Sequence, residues 1–304
     1  MPTPHALRLL AFFPLFVVPA LAASFTLTGT QADAALIMSK GNTYTIKGDY
    51  VVPVGKKLEI GPGTVISAEK GAGITVKGEL LVNADEKAPA IAKGKAWKGI
   101  HTAEGSKSSV TGLQVTGADI GLHIEGSVDT VKSCVFSKNT KGLKLDGKGK
   151  VAVENCLIAD NLSDGMRLTG MGGTITGCSF LRNKGYGVTL GETGPKFEKC
   201  VFADNLGAGI EQSNASGATG VSGTECVFDG KGTAFVSGIS HGSIDFQKCY
   251  WGEKNTALLK AKGDKAILPN VKDARNGGGS LKIYWLGFLS SAPKPCGASV
   301  TSKL

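Results

Sequence analysis

The sequence predicts an all-β fold, a three-sided solenoid of parallel strands with about 22 residues per coil. Three observations predict it. First, Cys134, Cys156, Cys178 and Cys200 stand 22 residues apart, and Cys226 and Cys249 follow at 26 and 23. Second, each repeat holds three short runs in which every second residue is apolar, the period of a half-buried strand. Third, the 304 residues include 44 glycines, about 14%, roughly twice the usual ~7%. Glycine so frequent and so dispersed leaves few stretches for a helix. It follows no G-X-Y period, and 41% hydrophobic against 19% charged residues excludes a disordered chain.

The elements follow in chain order. Residues 1–22 read as an export leader: Arg8 is the single formal charge, Leu9 to Val18 is an apolar run too short to span a bilayer, and Ala20-Leu21-Ala22 is a small-residue cleavage site. A secreted or periplasmic protein is expected, with no transmembrane segment. Residues 23–43 are expected to cap the first coil, as a short helix through Ala32, Ala34, Ala35, Leu36, Ile37 and Met38. Residues 44–252 form the coils, roughly nine or ten of them at the ~4.8 Å strand spacing. Residues 253–304 form a C-terminal cap and tail.

Within the coils, equivalent residues form columns. An apolar residue lies two positions after each cysteine (Phe136, Ile158, Phe180, Phe202, Phe228, Trp251) and an asparagine five after the first four (Asn139, Asn161, Asn183, Asn205). Glycine then precedes an apolar residue at Gly142-Leu143, Gly165-Met166, Gly187-Val188 and Gly209-Ile210. A unit this short buries nothing alone and must stack on its neighbours. Alternation puts the cysteines inside with the phenylalanines, as free thiols acting as small hydrophobes, with one or two strained disulfides as the alternative and Cys296 as the odd thiol. The asparagines read as a structural ladder at a sharp turn. Val135, Leu157, Ser179, Val201, Val227 and Tyr250 point outward yet are nearly all apolar, so something must cover them, either the tail or a partner chain.

These repeats resemble the right-handed parallel β-helix of the pectate-lyase-like superfamily. Leu58-Glu59-Ile60-Gly61-Pro62-Gly63-Thr64-Val65-Ile66 is similar to its opening coils, and Tyr250-Trp251-Gly252 with Asp273, Gly277 to Gly279, Ile283-Tyr284 and Leu289 to its C-terminal end. The resemblance covers most of the mature chain and implies a right-handed β-helix. It implies no single activity, because lyases, hydrolases, epimerases and adhesins share the fold.

The residue two after each turn glycine points outward and reads Thr75, His101, His123, Lys144, Arg167, Thr189, Glu211 along the axis. His101, His123, Lys144 and Arg167 would be four consecutive coils presenting imidazole, imidazole, ammonium and guanidinium, suited to carboxylates or sulfates of an acidic polysaccharide. β-Elimination of a uronate also needs such groups, a base for the C5 proton and a cation for the carboxylate, which makes His123, Lys144 and Arg167 catalytic candidates. The bland alternative is a solvated polar face. The calcium-lyase pattern of the superfamily, an Asp cluster with R-x-P-x-x-R, is missing here, as is the paired-Asp pattern of the polygalacturonase-like hydrolases. No zinc spacing occurs among the cysteines; calcium at Asp160, Asp164 and Asp204 is a further option, but no metal or cofactor is expected. The net charge of +9, or +8 without the leader, favours acidic partners. Export and the lack of a nucleic-acid-binding motif exclude DNA and RNA. Three readings stand: an exported binding module for an acidic polysaccharide or envelope component, a polysaccharide lyase on the same face, or a structural surface protein without a specific ligand. Oligomeric state is not legible.

Overall fold

The computed structural model describes residues 23–191, 194–212, 220–230, 232–237, 243–276, 282–294 and 297–299. The leader predicted over 1–22, Cys296 and the glycines 277–279 lie outside the described residues. The chain winds as a parallel solenoid. One sheet of eleven strands runs along one side, from Ala35–Met38 to Lys282–Tyr284, and nine of its strands fall within 44–252. The other two strand sets merge into one seventeen-stranded sheet. They merge because Thr43–Val52, Ala90–Thr102 and Leu113–Ile124 each run around a corner and serve both sides. Every strand pairing is parallel and joins one coil to the next.

The corners explain the path. A left-handed residue precedes each cysteine: Ser133, Asn155, Gly177, Lys199, Glu225 and Lys248 have φ between 50 and 60°. A second precedes each ladder asparagine: Lys138, Asp160, Arg182 and Asp204, with φ of 52–57°. One left-handed residue turns the chain sharply without lengthening the coil. L-residues adopt this conformation at a cost of roughly 1–2 kcal/mol each, so the stacked coils must hold it. At the sharp turn the residue before each asparagine takes the left-handed position, and the asparagine itself is buried.

There the amides hold the corners. Asn183 Oδ1 accepts from Asn161 N (3.1 Å) and Asn161 Nδ2 (2.9 Å), while Asn183 Nδ2 donates to the Ile158 carbonyl at 3.1 Å. The same pattern links Asn183 to Asn205, and Asn139 joins through its backbone N, which donates to Asn161 Oδ1 at 3.0 Å. All four are buried, with 0–4% exposure. Glycine follows because the neighbouring coil is too close: a Cβ on Gly142 would lie 2.5 Å from the Gly165 carbonyl and 3.0 Å from Asn161 Nδ2.

The interior is one continuous hydrophobic column. Phe180, Phe202, Phe228 and Trp251 stack ring on ring at 5.1, 5.0 and 4.7 Å. Six cysteines are buried free thiols beside this stack, and their Sγ–H groups donate to carbonyls, as from Cys200 to Ile175 at 3.2 Å. Burial pushes Cys134, Cys156, Cys178, Cys226 and Cys249 far above the ordinary thiol range, which disfavours the nucleophilic thiolate at these positions.

Both ends differ from simple expectation. The helix expected in residues 24–43 is corrected. Ser24–Thr30 pairs with Thr43–Val52, and Ala35–Met38 pairs with Lys57–Ile60. The open edge of the next coil offers unpaired amides and carbonyls, and those bonds override the alanine-rich propensity. At the other end, the helix Glu253–Lys262 and the strands Val271–Lys272 and Lys282–Tyr284 close the last coil, with Leu259, Leu268 and Trp285 in the core. The Arg275 guanidinium lies 4.1 Å over Trp285 and pairs with buried Asp273. The middle of the apolar outer column is crossed by two segments. Gly297 N donates to Lys199 O (2.8 Å), Ala298 N to Ser179 Oγ (2.8 Å) and Ser299 N to Asn155 Oδ1 (2.7 Å), so this short stretch of tail crosses the column. Glu86, from the loop after Glu79–Asn83, accepts from Ser133 Oγ at 3.3 Å and Asn155 Nδ2 at 2.7 Å. Leu259 and Leu268 pack in the core at the end of the coils rather than along this column.

Two predictions follow from this packing. Asn183→Ala orphans the Asn161 N–H and the Ile158 carbonyl, and costs about 2–4 kcal/mol of stability, read as a lower midpoint in urea denaturation. An unchanged midpoint would mean that the ladder holds nothing. Removing residues 297–304 uncovers Ser179 and Val201. The truncated chain binds more apolar dye or self-associates; a chain that stays monomeric and dye-silent would show that the tail is not the cover.

Candidate functional site

The outward row forms as the spacing predicts. His101, His123, Lys144, Arg167, Thr189 and Glu211 are direct register partners from coil to coil, with Thr75 preceding them. Each sits between two inward residues that pack in the core: Ile100 and Thr102 flank His101, Leu122 and Ile124 flank His123, and Leu143 and Leu145 flank Lys144. The side chains are therefore fixed on a rigid sheet with their heads outward.

They are less free than a bare cationic row. Two carboxylates lie one alternation further along the chain, on the same face. His101 Nε2 is 3.1 Å from Glu125 Oε2, and His123 Nε2 is 3.5 Å from Glu125 Oε1 and 3.1 Å from Asp146 Oδ2. Lys144 Nζ pairs with Asp146 and approaches His123 Nε2 at 3.2 Å. The two imidazoles stack with centroids 4.7 Å apart and planes 19° from parallel. Arg167 is exposed and has no ion-pair partner among the described residues. The structure thus brings His101, His123 and Lys144 into one cluster and places Arg167 on the next coil outside it.

The electrostatics follow from burial and from these partners. Burial first, and then the Lys144 ammonium, push the His123 imidazole below its ordinary range, outweighing its bond to Asp146. Burial pushes the Asp146 carboxyl up, but Lys144 and His123 outweigh it and hold the group below the usual carboxylate range. One Nε2 cannot both donate to Asp146 and accept from Lys144, so His123 has two competing arrangements. In the second its lone pair is the acceptor.

Beside the row runs a groove of ≈620 Å³, lined from four successive coils, among them Glu104, Glu125, Asp146, Lys148 and Thr169. Sequence reasoning missed Glu125 and Asp146. Their signal was present in His123-Ile124-Glu125 and Lys144-Leu145-Asp146, where alternation sends positions i and i+2 to one face. Nor did it find a histidine-based metal-ligating set. The fold makes one: ligand atoms of His101, His123 and Glu125 all lie within 4.8 Å of one another. The calcium option fails on geometry. Asp160 is held by both nitrogens of Arg182 at 2.8 and 2.9 Å, and Asp164 accepts from Tyr186 N at 3.0 Å. With Asp204 they form no ligand group among the described residues.

The cluster makes a signed prediction about titration. The charged and titratable groups around the His123 ring are His101, Glu125, Lys144 and Asp146. Lys144→Met removes a positive charge that disfavours the imidazolium and frees Asp146 to bond it, so both effects raise the His123 pKa. Ring-proton NMR in metal-free buffer shows the midpoint moving up; no movement, or a fall, would remove the ammonium from the ring's surroundings.

Comparison with curated proteins and comparison with solved structures each return no match. No helix among the described residues is long and apolar enough to cross a membrane. One family model does match, that of the right handed beta helix region, over residues 98–250. That segment is half of the 304 residues and contains the cysteine, asparagine and glycine columns and the outward row. The chain therefore belongs to the right-handed β-helix family.

Proposed function

We propose that this is an exported binding module that takes an extended polysaccharide along the groove beside the His101–Arg167 row. The observation that carries the reading is the groove itself, about 620 Å³ and built from equivalent positions of four successive coils. At ~4.8 Å per coil it offers hydrogen-bonding groups at intervals close to those of a sugar chain. Glu104, Glu125 and Asp146 accept from hydroxyls, and Lys148 and Thr169 donate. Arg167, unpaired and exposed, is the group left to receive a carboxylate or sulfate, in the bidentate manner guanidinium allows.

The charge pattern narrows the ligand. Lys144 is already paired to Asp146 and His123 to its neighbours, so a densely anionic polymer meets carboxylates over half of its path. A mainly neutral chain carrying spaced acidic groups fits better. The same pairing speaks against the lyase reading at His123, since the Lys144 ammonium beside it is already taken up by Asp146. The export itself rests on the leader over residues 1–22.

The test is calorimetric titration with a panel of neutral, uronate-containing and sulfated polysaccharides. The expected result is binding to a uronate-containing chain that weakens with salt, with Arg167→Ala losing about tenfold in affinity, or ~1.4 kcal/mol. No rise in ultraviolet absorbance from unsaturated sugars accompanies it. Absence of binding across the panel, or equal binding by the Arg167 variant, overturns the reading.

A further inference from the structure

We propose that His101, His123 and Glu125 form a binding site for one divalent transition-metal ion of the zinc class. Two imidazole nitrogens and a carboxylate oxygen are the donor set that zinc takes in open, three-ligand sites. Calcium and magnesium take oxygen ligands and are excluded by the two nitrogens. The inference does not rest on polysaccharide binding.

The geometry is nearly assembled. All three ligand atoms lie within 4.8 Å of one another, and the Glu125 carboxylate spans the two rings, its Oε2 3.1 Å from His101 Nε2 and its Oε1 3.5 Å from His123 Nε2. Two donors on one tetrahedral ion sit roughly 3.3 Å apart, given bonds of about 2.0–2.1 Å. Each histidine nitrogen is therefore already at about that separation from one Glu125 oxygen. The imidazole–imidazole separation has to close by roughly 1.5 Å at most, a side-chain rotation for groups at the surface.

A second observation points the same way. His101 Nε2 is a buried atom with no hydrogen-bond partner, although it faces Glu125 Oε2 at 3.1 Å. The approach has the distance of a pair but not the direction of a hydrogen bond. A buried polar atom left unsatisfied is costly and calls for an explanation; an ion between nitrogen and carboxylate would bind both. His123 is ready in the same sense, since the arrangement in which its Nε2 accepts from Lys144 is the one whose lone pair a metal takes. Charge favours a dication: Glu125 and Asp146 face one ammonium, Lys144. Lys144 is then a competitor, and its removal should strengthen binding. Three protein ligands leave a fourth position for water.

The test is calorimetric titration of untagged, chelator-stripped protein with Zn²⁺ alone, with Ca²⁺ and Mg²⁺ as controls. The expected result is one Zn²⁺ per chain and no heat from the controls. His101→Gln and His123→Gln each weaken Zn²⁺ binding at least about tenfold, Lys144→Met tightens it, and Cys296→Ser changes nothing. Zn²⁺ should also protect His101 and His123 of the unaltered protein from diethylpyrocarbonate, a readout that does not depend on any variant folding. No saturable Zn²⁺ binding, binding that survives both histidine substitutions, or unprotected histidines overturns the proposal. Polysaccharide is absent throughout, so failure of the glycan reading leaves this result untouched.

Discussion

Every outward side chain in this protein is placed by the parallel ladder that stacks one coil on the next. Backbone hydrogen bonds set the separation of neighbouring coils, and the columns of side chains inherit it. The interior shows this most clearly, in phenylalanine rings stacked about 5 Å apart and asparagine amides bonded coil to coil at 2.9 Å. The same separation appears on the surface in the 4.7 Å stack of His101 on His123. A strand slipped by one residue would turn its inward side chains outward. The asparagine ladder opposes such a slip, because each buried amide has a partner in one register only.

That ladder carries a price in backbone strain. Of the ten left-handed corners, nine fall on lysine, aspartate, arginine, asparagine, serine or glutamate and only one, Gly177, on glycine. A single coil could not hold them against the cost of the conformation. In the stack the corner residues also take part in the coil-to-coil hydrogen bonding, as Lys138 N to the Ala159 carbonyl, Asp160 N to the Leu181 carbonyl and Arg182 N to the Ala203 carbonyl. Strain and ladder are therefore one cooperative system, as expected where each repeat contacts only its neighbours.

How far the molecule was legible in its sequence follows from this periodicity. Cysteine, asparagine and glycine recur at an almost constant interval because each has one task per coil, a small buried group, an inward amide or a close approach, and few other residues perform it. The corners were invisible: Lys138, Asp160, Arg182 and Asp204 share a backbone conformation and no side-chain property. Residues 32–38 misled, because local alanine content was weighed without the unsatisfied edge at Lys57–Ile60 that recruits them as a strand. The outward row was found and its charge misread. Counting one residue per coil gave His101, His123, Lys144 and Arg167, whereas Glu125 and Asp146 share their face at the strand ends and neutralise half of the row.

The position of those two carboxylates matters beyond charge. His101, His123 and Lys144 lie within strands and are held at the coil separation, which is wider than the roughly 3.3 Å between two donors on a tetrahedral ion. Residues confined to the strand column can therefore line an extended groove but cannot by themselves surround anything small. Glu125 follows Ile124, where its strand ends, and so escapes the fixed register. From there its two oxygens reach histidines on two different coils. A solenoid face becomes capable of gripping a small ligand where a strand-end residue bridges two coils, and among the described residues His101, His123 and Glu125 are where this chain assembles such a set.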